Sequence, residues 1–246
     1  WFAVALFGAN LGLIDRMTAF GTMTVGIGAT AAMVVAGLAV IALIAALLVK
    51  PRQGWVAALV ALIIPIVILA GFTQLRATAE AAPFIYDVTT DTADAPRYSA
   101  QMERMRDEDG ANPLMDFNRP LGEYEKWAGN PDVADTTSAR LIADGYPDLR
   151  PLSTNASVGN ALKAVEAAMR AEGIENVTVD ARAGTVEGTA VVFWYGFRDD
   201  VIARVRPAAG GSTVDFRSTS RVGTSDLGVN AARIMDLRKA VEQRIG

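Results

Sequence analysis

Neither cysteine nor histidine occurs among the 246 residues. Without cysteine no disulfide forms, and without either residue a zinc site of Cys or His and a histidine-based catalytic triad are excluded. Lack of cysteine suits oxidising and reducing compartments alike, so it leaves the location open. A basic excess is missing too. Lys and Arg number 23 against 27 Asp and Glu, a net charge of -4 with pI near 5.0, which argues against nucleic acid as the main partner. Charge is almost absent from one part of the chain: residues 1–72 hold Asp15, Arg16, Lys50 and Arg52 and no other Asp, Glu, Lys or Arg.

That imbalance divides the chain by solvent. The sequence predicts a transmembrane anchor over 1–74, an extended wrapping segment over 75–150 and an α+β domain over 151–246. Met17 to Val49 is uncharged, and Val25 to Val49 exceeds the roughly 20 apolar residues that a spanning helix needs. A polar hairpin, Lys50-Pro51-Arg52-Gln53-Gly54, precedes a second uncharged stretch, Trp55 to Phe72, with Pro65 expected to kink it. Trp1 to Ile14 is apolar but short and is read as the tail of a third span rather than as a cleaved signal peptide. Lys50 and Arg52 form the only purely positive loop, which places the hairpin in the cytoplasm. The expectation is a multi-pass protein of a bacterial inner membrane with a periplasmic domain, or a lumenal one in a plastid-like setting. Its partners would be the lipid bilayer and other membrane subunits. Gly28, Ala32 and Ala36 recur at four-residue spacing and make a smooth helix-packing ridge, used within the hairpin or between molecules. No charge lies inside either long span, which speaks against a pump or channel.

Beyond the anchor, residues 80–150 lack periodicity and are rich in X-Pro turns. Phe84, Tyr86, Tyr98, Phe117, Tyr124 and Trp127 are spaced too irregularly for one element and are read as fastening this strap onto the domain or a neighbour, with one short helix near Ala134 to Ala143. From Ser157, a suitable cap, Val158, Leu162, Val165, Ala168 and Met169 fall at helical spacing. Four strand-like stretches follow, Asn176–Ala181, Thr185–Tyr195, Asp200–Arg206 and Ser212–Thr219. A last helix begins near Asp226, capped by Thr224 or Ser225, with Leu227, Ala231, Ile234, Leu237, Val241 and Ile245 as its stripe. The fold expected is α+β, N-terminal transmembrane helices followed by a four-stranded antiparallel sheet with two packed helices. Alternation in the last two strands gives one core face and one charged face. The charged face is expected to be solvated, with Arg204 or Arg206 opposite Asp215.

The run Phe193-Trp194-Tyr195-Gly196-Phe197-Arg198-Asp199-Asp200, followed by Val214-Asp215-Phe216-Arg217-Ser218-Thr219-Ser220-Arg221-Val222-Gly223 and Asp226-Leu227-Gly228-Val229-Asn230, resembles domain of unknown function family 1499. Asp87-Val88-Thr89-Thr90-Asp91 and Tyr146-Pro147-Asp148-Leu149 agree with it, so the resemblance covers about residues 84–245. It implies no catalytic residues. Members in photosynthetic membranes look like factors supporting photosystem biogenesis, which implies an accessory or assembly role, with reaction-centre or light-harvesting complexes as the first partner to consider.

Read as chemistry, Arg217, Arg221, Ser225, Asp226 and Asn230 fall on a strand end, a turn and a helix start, a candidate contact for an anion or a partner's carboxylate. The alternative is that Asp199, Asp200, Asp215, Arg217 and Arg221 bond each other and fix the turn. Asp199 and Asp200, adjacent in a strand, point to opposite faces and make no acid–base dyad. Ser218 and Ser220 share a face, with no histidine or nearby lysine to activate them. Asp87 to Asp94 lacks the glycine and terminal glutamate of an EF-hand loop. No catalytic, cofactor or metal residue is therefore assigned, and the expected function is a non-catalytic membrane-anchored scaffold, accessory or assembly subunit. The competing expectation is a tethered periplasmic domain that binds an anion or lipid headgroup, or hydrolyses a substrate.

Overall fold

The computed structural model describes residues 1–245, which form two compact units: Trp1–Glu80 with Trp194–Gly196, and Ala81–Phe193 with Phe197 onward.

In the first unit α1 (Phe2–Asn10) is followed by a π-type helix, Thr18–Gly28, that runs directly into α2 (Ala29–Leu48). After the polar hairpin, α3 spans Trp55–Ala81, past the predicted end at Phe72, with Pro65 inside it. Thr18–Leu48 has 31 residues and α3 has 27; both are long and apolar enough to cross a membrane. At about 1.5 Å per residue α3 reaches about 40 Å, more than a hydrocarbon core of about 30 Å. Their apolar side chains are mostly exposed, with Leu38, Ile41, Leu48, Ile64 and Val67 among them. Gly28 and Ala32 of the ridge are buried and Ala36 is half-buried. A Cβ on Gly28 would lie 2.5 Å from the Phe2 ring, so the ridge accepts an aromatic from this same chain.

The second unit is built on a six-stranded antiparallel sheet rather than the expected four. The additions are short strands from the wrapping segment: β1 (Asp87–Thr89) and β2 (Leu152–Thr154). The predicted strands are β3 (Glu175–Asp180), β4 (Thr185–Val191), β5 (Arg198–Ala208) and β6 (Gly211–Ser220), in the order β1-β6-β5-β4-β3, with β2 also on β6. β1 pairs with the end of β6, Asp87 opposite Thr219, and β2 with its start, Leu152 opposite Val214. Gly211 permits this second pairing: a Cβ there would sit 2.0 Å from the Thr154 carbonyl oxygen.

Between β1 and β2 lie α4 (Ala100–Glu108), one turn of 3₁₀ helix at Leu121–Glu123 and α5 (Ser138–Gly145). Ser99 caps α4 by accepting from the Met102 N–H, and Thr137 caps α5 by accepting from the Arg140 N–H. The wrapping segment thus contains a helix, α4, that periodicity missed, and the short helix begins at Ser138, not Ala134. α6 (Val158–Ala171) is capped by Ser157 as predicted, and Leu162, Val165, Ala168 and Met169 are buried. α7 (Val229–Ile245) begins later than expected, and its first turn is held by Asp226 rather than by Thr224 or Ser225. The Asp226 carboxylate accepts from the Gly228 and Asn230 N–H groups.

α6 and α7 cover one face of the sheet, where Val186, Val201, Ala203, Val205, Val214 and Phe216 join Ile234, Leu237 and Val241 in the main core. The other face is not solvated, contrary to the alternation-based expectation. The strap crosses it: Tyr98 and Met102 pack on Ile202, while Asp200, Asp215 and Arg217 are buried beneath. Tyr86, Tyr98, Phe117 and Trp127 are the buried fasteners, Trp127 stacking on Tyr86 at 5.3 Å and donating to the Phe84 carbonyl.

Candidate functional site

Alternation along β5 and β6 decides where each motif residue goes. Side chains at Asp200, Arg204, Arg206, Asp215, Arg217 and Thr219 rise toward the strap, while Asp199, Ser218 and Ser220 turn toward α7. The partners confirm the division. Asp199 meets Arg233 of α7 at 2.7 Å, and Asp200 meets Arg106 of α4 at 2.5 Å. The two aspartates therefore do face opposite sides of the sheet.

The strap side carries three carboxylate centres. Asp87 grips Arg217 with both oxygens, at 2.9 Å to Nε and 2.6 Å to Nη2, and also accepts from the Thr219 hydroxyl and the Met115 N–H. Arg217 spends its remaining Nη1 donor on the Pro96 carbonyl, and its guanidinium lies between the Tyr98 and Phe117 rings, 5.7 and 5.0 Å from their centroids. Burial works against the charge on Arg217, but the facing Asp87 carboxylate outweighs it and holds the guanidinium above its ordinary range. A fork-to-fork pair of this kind is short and directional, which fixes strap to strand with one geometry.

Asp200 is the second centre. It binds Arg221 through Nε and Nη2, takes Arg106 on the same carboxylate and accepts the Thr189 hydroxyl. Arg221 also reaches Asp109 at the end of α4. Tyr98 donates its hydroxyl to the Asp200 carbonyl, and burial pushes that phenol well above its usual range. At the rim, Asp215 lies opposite Arg204 in the strand register, as predicted, and one oxygen of Asp215 is shared by Arg204 at 3.1 Å and Arg206 at 2.8 Å. Asp94 and Asp91 of the strap complete this cluster. Asp215 Oδ1 is buried with no hydrogen-bond partner among the described residues.

On the opposite side Asn230 organises the contact between α7 and the sheet. Its amide donates to the Tyr86 carbonyl and the Ser220 hydroxyl, and its oxygen accepts from Ser218 and Arg233. Ser218 and Ser220 do share this face. Ser225 accepts from the Leu227 N–H in the preceding turn. Asp226 is pushed up to about 6 by burial, with the N–H groups of Asn230 and Gly228 opposing that shift.

The sheet consequently separates the candidate contact residues. Arg217 and Arg221 lie beneath the strap, and Ser225, Asp226 and Asn230 belong to the turn and start of α7. Nothing brings the five around one opening. Each arginine is occupied by the chain's own acids, and Ser218 donates to an amide oxygen, which is not a base. Among the described residues no group of three His, Cys, Asp or Glu side chains could hold a metal ion. The acids of the Asp87 to Asp94 turn are spent on Arg217, Arg204, Arg206 and backbone N–H groups.

Sequence reasoning missed Arg106, Asp109 and Arg233, and gave Asp87 no arginine. Their partners lie 94, 112, 34 and 130 residues away, and no local pattern announces pairs at that range. The one available signal was the surplus of charge in the β5–β6 motif, which needed counter-charges from somewhere.

A search of curated proteins and of solved structures gives no match to this chain. A family model does match, that described as protein of unknown function (DUF1499), over residues 87–241. The matched region opens on Asp87 and closes on Val241, so it takes in both halves of the buried ionic face and the helix behind it. The chain belongs to the DUF1499 family.

Proposed function

We propose that this chain is a non-catalytic, membrane-anchored accessory subunit, a scaffold or assembly element of a larger membrane complex. The observation that carries the reading is a contrast of surfaces. Two helices long enough to span a bilayer leave most of their apolar side chains uncovered. Meanwhile the motif charges of the domain are consumed internally. A chain built this way has large surface to offer lipid and neighbouring helices, and little free chemistry to offer a substrate. The buried pairs act as a latch that presents the strap in one fixed conformation, which is what an interaction surface requires.

In this reading the Lys50–Arg52 hairpin faces the cytoplasm of a bacterial inner membrane and the domain lies in the periplasm. Family resemblance directs the first search for a partner to photosynthetic complexes. The alternative of an anion-binding or hydrolytic domain has less support, because Arg217 and Arg221 are already saturated by Asp87, Asp200 and Asp109. Solubilising native membranes in a mild detergent and separating the complexes tests the proposal. Co-migration with a large pigment or respiratory assembly is expected, and recovery only as a free monomer would overturn it.

A further inference from the structure

The turn between β4 and β5 is closed by a hydrogen bond from the Val192 N–H to the Phe197 carbonyl and carries Phe193-Trp194-Tyr195-Gly196-Phe197. Among the described residues C-terminal to α3, Phe193 and Trp194 are the most exposed large apolar side chains, at 78% and 60%. Tyr195 and Gly196 both take positive φ, 62° and 66°, a conformation that is unusual for tyrosine. Such a conformation is maintained only where surroundings over-determine it.

The surroundings are those of the first unit, to which Trp194–Gly196 belong. Within that unit Gly196 lies beside the last polar groups before the uncharged stretch: a Cβ on it would be 3.2 Å from Asn10 Oδ1 and 3.5 Å from Arg16 Nε. Tyr195 sits further along, its hydroxyl 2.6 Å from Thr24 Oγ1 and its ring edge-on to Phe20 at 5.5 Å. Phe20 and Thr24 follow Arg16 by four and eight residues, at most about 6 and 12 Å along a π-type helix that rises less per residue than an α-helix. Segments seated at a membrane surface bury their apolar face about 5–10 Å into the boundary between headgroups and acyl chains. Trp and Tyr are the side chains that concentrate there, apolar in body with a polar handle.

We propose that the Phe193–Phe197 turn is a lipid-interface wedge, with Phe193 and Trp194 seated in the headgroup–acyl boundary of the bilayer that holds Thr18–Leu48. This rests on the membrane-spanning reading above. The ligand is lipid in general, since aromatic insertion asks for an interface and not for a particular headgroup.

The absence of cysteine makes the test direct, because one introduced cysteine labels one position. Phe193→Cys, Trp194→Cys, Val179→Cys on β3 and Met33→Cys in α2 would each carry a nitroxide in the full chain. Each would be reconstituted in vesicles of phosphatidylcholine with phosphatidylglycerol, and the spin label's access to oxygen compared with its access to a water-soluble nickel complex. The expected result is an oxygen-to-nickel ratio at 193 and 194 several-fold above that at 179 and approaching that at 33. Ratios at 193 and 194 equal to that at 179, with lipid exposure at 33, would overturn the wedge and leave the anchor standing. Shielding of 193 and 194 from both reagents would also overturn it, showing protein contact instead of lipid. Water exposure at 33 would overturn the spanning reading and the wedge with it.

Discussion

The two faces of the sheet are covered by the same chain in opposite chemistries. Behind it, Val201, Val205, Val214 and Phe216 meet Ile234, Leu237 and Val241 in a dry contact whose strength grows with area. In front, the strap is held by Asp87–Arg217 and by Asp200 with Arg106 and Arg221, pairs that are worth little in net stability when complete and expensive when halved. The difference teaches that the rear face tolerates gradual change while the front face is all-or-none. One covering can be eroded; the other has to be unlocked.

The largest effect should come from breaking the front. Asp200→Ala leaves the Arg106 guanidinium buried without a counter-charge and Arg221 with Asp109 alone, a loss within the roughly 3–5 kcal/mol typical of halving a buried pair. Denaturant unfolding of the full chain in mild detergent, followed by the fluorescence of buried Trp127, measures it. A loss below about 1 kcal/mol would erase the contrast. The same assay sharpens it: Asp87→Leu combined with Arg217→Met should cost less than either change alone, since the pair disappears together. On the rear face Leu237→Ala is expected to cost about 3 kcal/mol through lost burial and an unfilled cavity, with no dependence on salt.

Asp226 tests the seam where α7 begins. Its folded carboxyl titrates at about 6 against 3.8 unfolded, so the folded state holds the proton more tightly. Its contribution is therefore greatest below pH 3.8, falls as pH rises to about 6, and is constant above that. Asp226→Asn cannot titrate, so its stability relative to the parent should rise by about 2–3 kcal/mol across that window. A flat difference between the two proteins would show that burial there is not what the geometry implies. The smallest effect belongs to the rim, where Arg206 is 41% exposed and Arg204 still serves Asp215. Arg206→Ala should cost about 1 kcal/mol or less and shrink further as salt is added.

How much of this could be read in advance depended on how far apart the interacting residues lie. α6, α7 and β3 to β6 were legible because each repeats its own apolar period within a few residues. β1 and β2 are three residues long, too short to show alternation, and exist because β6 offers them an edge. α4 escaped because its inward positions are Met102 and Arg106, and an arginine at a buried position reads as a surface residue. The charged face misled for a related reason. Polar residues at every second position look the same whether they meet water or a strap bearing opposite charges. The candidate contact residues were correctly seen as a concentration of polarity, but the sheet that parts Arg217 from Asn230 appears only when the register is known.

The pairing of β1 with the end of β6 has a consequence for how the chain is made. Asp87 is separated from Arg217 by 130 residues, and synthesis at about 5–20 residues per second puts on the order of ten seconds between them. Throughout that interval the strap has left the ribosome without the strand it will cover. A hydrophobic segment in that position would be open to aggregation. Setting Asp87 and Arg106 among the inward aromatics keeps those positions hydrated in the meantime, and they give up that hydration only when their counter-charges arrive.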